Sequence, residues 1–296
     1  MTLIPRTRYD LSVSDFAYPP DLSAIETIKV TGPMPYVIKE LTLADFEKKL
    51  VSRLSTDAHK VTYPSEIDAL ARESATLLSI EFLPEIFIVD DDTANAMTFG
   101  SEERAYLIMN MGLVKLMTRQ EVIAVITHEL AHVRSGHMMY HTLAEVLSGG
   151  INLSASLMGF DLLSIPVRLA LFSWHRESEV TADRASLLAV NDIGIIGSLL
   201  EKLASGNGAI PLSQPDTQHK PGMLESLGEL FRTHPLDINR MKLAKEFWQS
   251  QEFQRARQKI QVRQSLLRGL LPICRFCGEN KPVDDLFCPK CGKSQT

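Results

Sequence analysis

Two histidines and a glutamate within five residues, His128-Glu129-Leu130-Ala131-His132, constrain this chain more than any other feature. Residues four apart lie on one face of a helix, so both imidazoles can point at a single metal ion. Glu129 then sits beside that ion, placed to take a proton from its bound water. The flanks ask for the helix. Thr118 stands three residues before Glu121, the pattern of a capping box. Val122, Ile123, Val125, Ile126, Leu130 and Val133 form a broad apolar band at helical spacing. A helix so apolar is buried. The plain alternative is a core helix whose histidines find ordinary hydrogen-bond partners, but two histidines and a carboxylate on one buried turn are costly without a purpose.

A catalytic zinc takes three protein ligands and leaves a fourth position for water. The third is offered within Trp174–Asp183, where Glu179 and Asp183 are again four apart and share a helical face. Glu179 as ligand gives a His₂Glu site. Asp183 is then left to accept the outer N–H of a zinc-bound histidine and fix its tautomer. Alone, the segment reads equally well as an exposed acidic face; beside the histidine pair, the ligand reading is favoured.

With these pieces in order, the chain resembles the M48 family of zinc metallopeptidases, within the gluzincin group. The resemblance rests on HELAH at 128–132 and on the R-x-x-E-x-x-A-D pattern of Arg176, Glu179, Ala182 and Asp183. Asn95-Ala96, ahead of an expected strand, is similar to the Asn-Ala segment that borders the substrate cleft in gluzincins. Thr233-His234-Pro235, followed by Arg240, resembles the family's late His-Pro…Arg element. A metzincin does not fit, because Ser135 stands where that pattern wants glycine and Met138 where it wants a third histidine.

The resemblance implies an α+β fold, predominantly helical, of the gluzincin metallopeptidase type, with a small sheet beside the HExxH helix. It implies a catalytic zinc on His128, His132 and Glu179, and Glu129 as the general base that later returns the proton to the leaving amine. His234 is expected to help stabilise the oxyanion. Arg240 is expected to orient that region rather than react. Asn95 and the backbone around Ala96 are expected to hold the substrate as an added strand. Without the resemblance, His234 and Arg240 read as a helix-start histidine and a surface arginine. His137, His141, His175 and His219 have no ligand pattern and read as surface or helix-end residues.

The chain of 296 residues is long enough for one substantial domain and a small module. Its net charge of −5 argues against broad nucleic-acid binding. Residues 1–60 read as an N-terminal part packed on the body: an extended arm over 1–35, rich in proline, then a helix over Leu43–Leu54. Residues 61–250 read as the peptidase domain. It starts with a helix over Glu66–Ile80 and strands over Glu85–Val89 and Arg104–Asn110, with turns at Asp90–Asp92 and Gly100. Ser205–Gly222 reads as a long surface loop, with a lid over the cleft as the alternative. Helices over Met223–Phe231 and Leu236–Trp248 follow, and a helical, basic linker fills 251–273. No secretory signal is evident at the N-terminus. The longest uncharged run, Val146–Phe160, is shorter than a membrane span and diluted by serines and glycines, so buried helices are favoured over an interfacial segment or a true span.

All four cysteines lie at the C-terminus, as Cys274-x₂-Cys277 and Cys288-x₂-Cys291, each pair followed by glycine. Residues 274–296 therefore resemble a zinc ribbon with a closed Cys₄ structural site. Disulfides would need an oxidising compartment, for which there is no targeting evidence, whereas free thiols suit a reducing cytoplasm. A module this small draws much of its folding energy from the metal.

The expectation is a cytoplasmic zinc endopeptidase acting on peptides or unfolded protein, with one catalytic and one structural Zn²⁺. The ribbon is a candidate surface for a protein partner, and nucleic acid is not expected. The rival is a latent or silent peptidase fold that serves as a partner-binding module. A membrane-surface quality-control protease is a third reading; membrane association is not favoured.

Overall fold

The computed structural model describes residues 2–3, 9, 11–31, 44–100, 104–138, 140–141, 165–206, 238–270, 274, 276–278, 290–291 and 293. Helices dominate: α1 (Pro19–Thr31), α2 (Ala44–Asp57), α3 (Glu66–Leu77), α4 (Met111–Leu116), α5 (Arg119–Arg134), α6 (Ile165–Val190), α7 (Ile193–Gly206), α8 (Ile238–Trp248) and α9 (Gln251–Leu270). Between them run β1 (Thr2–Leu3), β2 (Ala58–Lys60), β3 (Phe82–Leu83), β4 (Glu85–Val89), β5 (Ala96–Gly100) and β6 (Ala105–Asn110). β1 and β3 form a short antiparallel pair.

The other four strands make one small mixed sheet in the order β2-β4-β6-β5, with β4 and β6 parallel and an antiparallel strand at each edge. Successive side chains on a strand point to opposite faces. Leu107 and Met109 of β6, Ile86 of β4 and Ala96 of β5 enter the main core. Tyr106, Ile108, Phe87, Met97 and Phe99 form a second cluster with Leu54 of α2. Thr98 lies between Met97 and Phe99 and so faces the main-core side, where α5 packs. The edge strand ends at Gly100, whose φ of +125° and close approach to the Arg104 carbonyl leave no room for a side chain.

α5 is the buried centre of the molecule. The Thr118 hydroxyl accepts from the Glu121 backbone N–H at 3.4 Å, and the Glu121 carboxylate accepts from the Thr118 N–H at 2.7 Å, closing the capping box. Ala124 and Ala131 on α5, with Ala182 and Ala185 on α6, are fully buried. Small residues on both helices let the backbones approach closely, and the Ser186 hydroxyl crosses the gap to donate to the Ala124 carbonyl at 2.7 Å. That closeness brings the acidic face of α6 against the histidine face of α5.

One expectation changes here. Residues 1–35 are not extended throughout, because Pro19 and Pro20 open α1. Proline suits a first helical turn, where its missing N–H has no intrahelical partner to lose and its φ is already helical. Among the described residues, no helix is long and apolar enough to cross a membrane. Residues 142–164, most of the Ser205–Gly222 loop, the expected helix at Met223–Phe231, Thr233-His234-Pro235 and Cys288 lie outside the described residues.

Candidate metal centre

His128 and His132 project from one face of α5, and Glu179 meets them from α6. The two Nε2 atoms are 3.3 Å apart. His128 Nε2 lies 3.3 Å from Glu179 Oε2, and His132 Nε2 lies 3.3 Å from Glu179 Oε1. Ligands bound at about 2.0–2.1 Å to a tetrahedral zinc stand about 3.3 Å from one another. The donor set therefore fits zinc in kind and in spacing. His128, His132 and Glu179 are all buried.

Behind these donors, His128 Nδ1 is 3.2 Å from Asp183 Oδ1. Arg240 of α8 donates to Asp183 through two nitrogens, at 2.6 and 2.7 Å, and its third approaches Glu179 Oε2 at 3.3 Å. Burial works against charge on Asp183, but the Arg240 guanidinium and the bond from His128 outweigh it and hold the carboxyl at about 2. Burial also opposes charge on His128, yet its bonds to Asp183 and Glu179 push it up to about 10. His132 goes the other way: burial takes it down to about 3, with Glu179 offsetting only part.

Glu129 is 3 % exposed and sits beside the donors on α5. The Thr98 hydroxyl contacts both its backbone carbonyl, at 3.2 Å, and its Oε2, at 3.0 Å. Thr98 has no sequence signal; only the register of β5 brings it here. The Asn95 carbonyl accepts from the Asn110 N–H at 2.9 Å, which makes residues 95, 97 and 99 the ones that bond to β6. The alternation of an antiparallel ladder then turns the N–H and C=O of Ala96 and Thr98 toward the outer edge of β5. Among the described residues no strand pairs there.

His137 corrects a sequence expectation. It is 2 % exposed, not a surface residue. α5 ends in a Schellman turn: Gly136 has φ +71°, the Gly136 N–H bonds to the Val133 carbonyl, and the His137 N–H bonds to the His132 carbonyl. The reversal swings His137 back, so that its Nδ1 lies 3.1 Å from His132 Nδ1 and its Nε2 lies 3.2 Å from Asp21 Oδ2. His141 is also half-buried, bonded to the Ser178 hydroxyl at 2.8 Å, with its ring 4.6 Å from that of His132 and 4.3 Å from that of His175.

At the C-terminus, the sulfurs of Cys274, Cys277 and Cys291 cluster within 4.8 Å of one another. The Cys274–Cys291 distance of 3.7 Å is far beyond a disulfide but close to the spacing of about 3.8 Å between thiolates bound at about 2.3 Å to tetrahedral zinc. The Phe276 N–H points at Cys274 Sγ at 3.4 Å, and the Gly278 N–H bonds to the Cys274 carbonyl at 2.9 Å, forming a tight knuckle.

The family model described as Peptidase family M48 matches residues 64–247, more than half of the chain. The chain is 31% identical over 144 residues to the Plastoglobule-localized metallopeptidase 48, chloroplastic, of Arabidopsis thaliana, covering 48% of this chain and 41% of that protein. It is 29% identical to the Protease HtpX homolog of Desulforapulum autotrophicum, covering 52% and 60%. The Protease HtpX homolog of Streptococcus uberis is 30% identical, with 54% and 66% covered. The matches thus span between 41% and 66% of these relatives' own lengths.

Proposed function

The chain belongs to peptidase family M48, and on that premise we propose that it is a zinc-dependent endopeptidase acting on peptides or unfolded protein. The observation that carries the reading is the convergence of His128, His132 and Glu179 with their donor atoms 3.3 Å apart. When bound there, zinc supplies a Lewis acid that polarises the scissile carbonyl and makes a water more acidic. Glu129 acts as general base, taking the attacking water's proton on its carboxylate and passing it to the leaving amine. Thr98 holds that carboxylate in place. Asp183, gripped by Arg240, orients His128. The open edge of β5 accepts the substrate backbone through Ala96, with the Asn95 side chain beside it. His234 takes the role of oxyanion partner on the strength of the family resemblance.

We read residues 61–250 as the catalytic domain, preceded by a packed N-terminal part over 1–60 and followed by a helical linker over 251–273. Cys274, Cys277 and Cys291, with Cys288, form a structural zinc ribbon over 274–296; the 3.7 Å sulfur separation supports this. Thiols held for zinc rather than oxidised to disulfides suit a reducing, cytoplasmic setting. The ribbon offers a surface for a protein partner.

The test is Glu129→Gln. The variant is expected to keep both zinc ions and lose cleavage of a denatured protein substrate. Full cleavage by that variant overturns the mechanism.

A further inference from the structure

A metal-binding histidine is only as good a ligand as the group behind it. His128 has Asp183 for this purpose. At the outer nitrogen of His132 stands another histidine, and behind that histidine stands an aspartate from the N-terminal part of the chain.

For His132 to offer a lone pair at Nε2, its proton must sit on Nδ1. That N–H faces His137 Nδ1 at 3.1 Å, so His137 must accept there. A neutral His137 that accepts at Nδ1 carries its proton on Nε2, which faces Asp21 Oδ2 at 3.2 Å. Asp21 can only accept. It is 1 % exposed and also takes bonds from Trp174 Nε1 at 2.7 Å and from the Thr181 hydroxyl. A ligand at Nε2 of His132 is compatible with one arrangement of protons along this line.

We propose that His137 and Asp21 are positioning residues that fix His132 in its metal-binding tautomer, and that α1 is thereby part of the metal centre. The proposal rests on the reading of His128, His132 and Glu179 as a zinc site. Asp21 lies in the first turn of α1, whereas Trp174 and Thr181 lie on α6, beside the ligand Glu179. Displacing α1 therefore removes the acceptor that keeps His132 oriented, which gives the N-terminal part of the chain a hold on metal retention.

The test compares zinc affinity of the full chain, by chelator competition, for the unmodified protein, His137→Ala, His137→Gln and Asp21→Asn. The visible spectrum of the Co²⁺-substituted protein is recorded for each. His137→Ala and Asp21→Asn are expected to weaken zinc binding about 10- to 100-fold and to shift the cobalt bands. Glutamine can accept from His132 and donate to Asp21 through one amide, so His137→Gln is expected to recover most of the affinity. Unchanged affinity and unchanged bands in His137→Ala, with His128→Ala still losing the metal, overturn the relay and leave the zinc site standing. Loss of no zinc in His128→Ala overturns both. Should His137→Ala fail to fold, imidazole ¹H–¹⁵N spectra of the unmodified zinc-loaded protein decide: a proton on Nε2 of His137 supports the relay, and a proton on its Nδ1 overturns it.

Discussion

Arg240 holds Asp183 by two parallel bonds, at 2.6 and 2.7 Å, with both side chains buried. Asp183 in turn backs His128, the proposed zinc ligand. The pair therefore serves stability and metal binding at once, and substitutions can separate the two. Arg240→Met leaves a buried carboxylate without its partner and is expected to destabilise the protein by about 3–5 kcal/mol. Arg240→Lys restores little, since an ammonium cannot reproduce the two-pronged geometry. The double variant Arg240→Met/Asp183→Asn removes the stranded charge and is expected to regain much of the stability, while its zinc affinity stays about 10- to 100-fold low. Thermal unfolding and chelator competition on the same samples check both halves.

Thr98 reaches Glu129 across the gap between the edge strand and α5, at 3.0 Å from Oε2. Thr98→Val keeps the β-branched shape that suits a strand and removes only the hydroxyl. A single hydrogen bond of this kind contributes about 1–2 kcal/mol, so kcat is expected to fall about 5- to 30-fold with zinc content unchanged. Steady-state kinetics beside metal analysis tests this. A loss of zinc instead would assign Thr98 to the fold of the site rather than to its base.

Asp183 and Glu179 push His128 up to about 10 against burial, while burial holds His132 at about 3. Zinc must displace the His128 proton. Below about pH 10 the proton competes with the metal, so affinity is expected to rise about tenfold per pH unit between pH 6 and 8 and to weaken as pH falls. Calorimetry in buffers of differing ionisation enthalpy, with the ribbon already loaded with zinc, should detect close to one proton released per zinc bound at the His128 site at pH 7. Affinity independent of pH over that range would contradict the assignment.

Local spacing made part of this centre legible in advance. His128 with His132, and Glu179 with Asp183, are each pairs four apart on one helix, and the capping box of α5 is likewise written within four residues. The strand over Glu85–Val89 and the helix opening at Glu66 are also local patterns, and the structure has both. What escaped depends on distant parts of the chain. Thr98 faces Glu129 because of the sheet register. Asp21 meets Thr181 from 160 residues away. His137 stands five residues from His132, off its face in a continuous helix, but the turn at Gly136 reverses the chain between them. Asn95 is half legible: its carbonyl is already bonded to Asn110, so the open backbone belongs to Ala96 and Thr98.

Glu121 ties the start of α5 to α7. Its carboxylate closes the capping box with Thr118 and also receives bonds from Lys202 at 2.6 Å and Ser198 at 2.7 Å. Burial opposes its charge, but these donors outweigh it and hold the carboxyl at about 2, below its ordinary 4.5. A carboxyl whose folded pKa is depressed adds stability that is present above its unfolded pKa and lost as pH falls through the folded one. Glu121→Gln is therefore expected to cost about 2–3 kcal/mol at pH 7. The gap between parent and variant should stay constant from pH 7 down to about 5, narrow as pH falls from about 4.5 through 2, and close only below pH 2, where Glu121 is neutral in the folded state as well. Denaturant unfolding at a series of pH values reads this directly. A gap that persists undiminished below pH 2 would mean that Glu121 acts through packing and not through its charge.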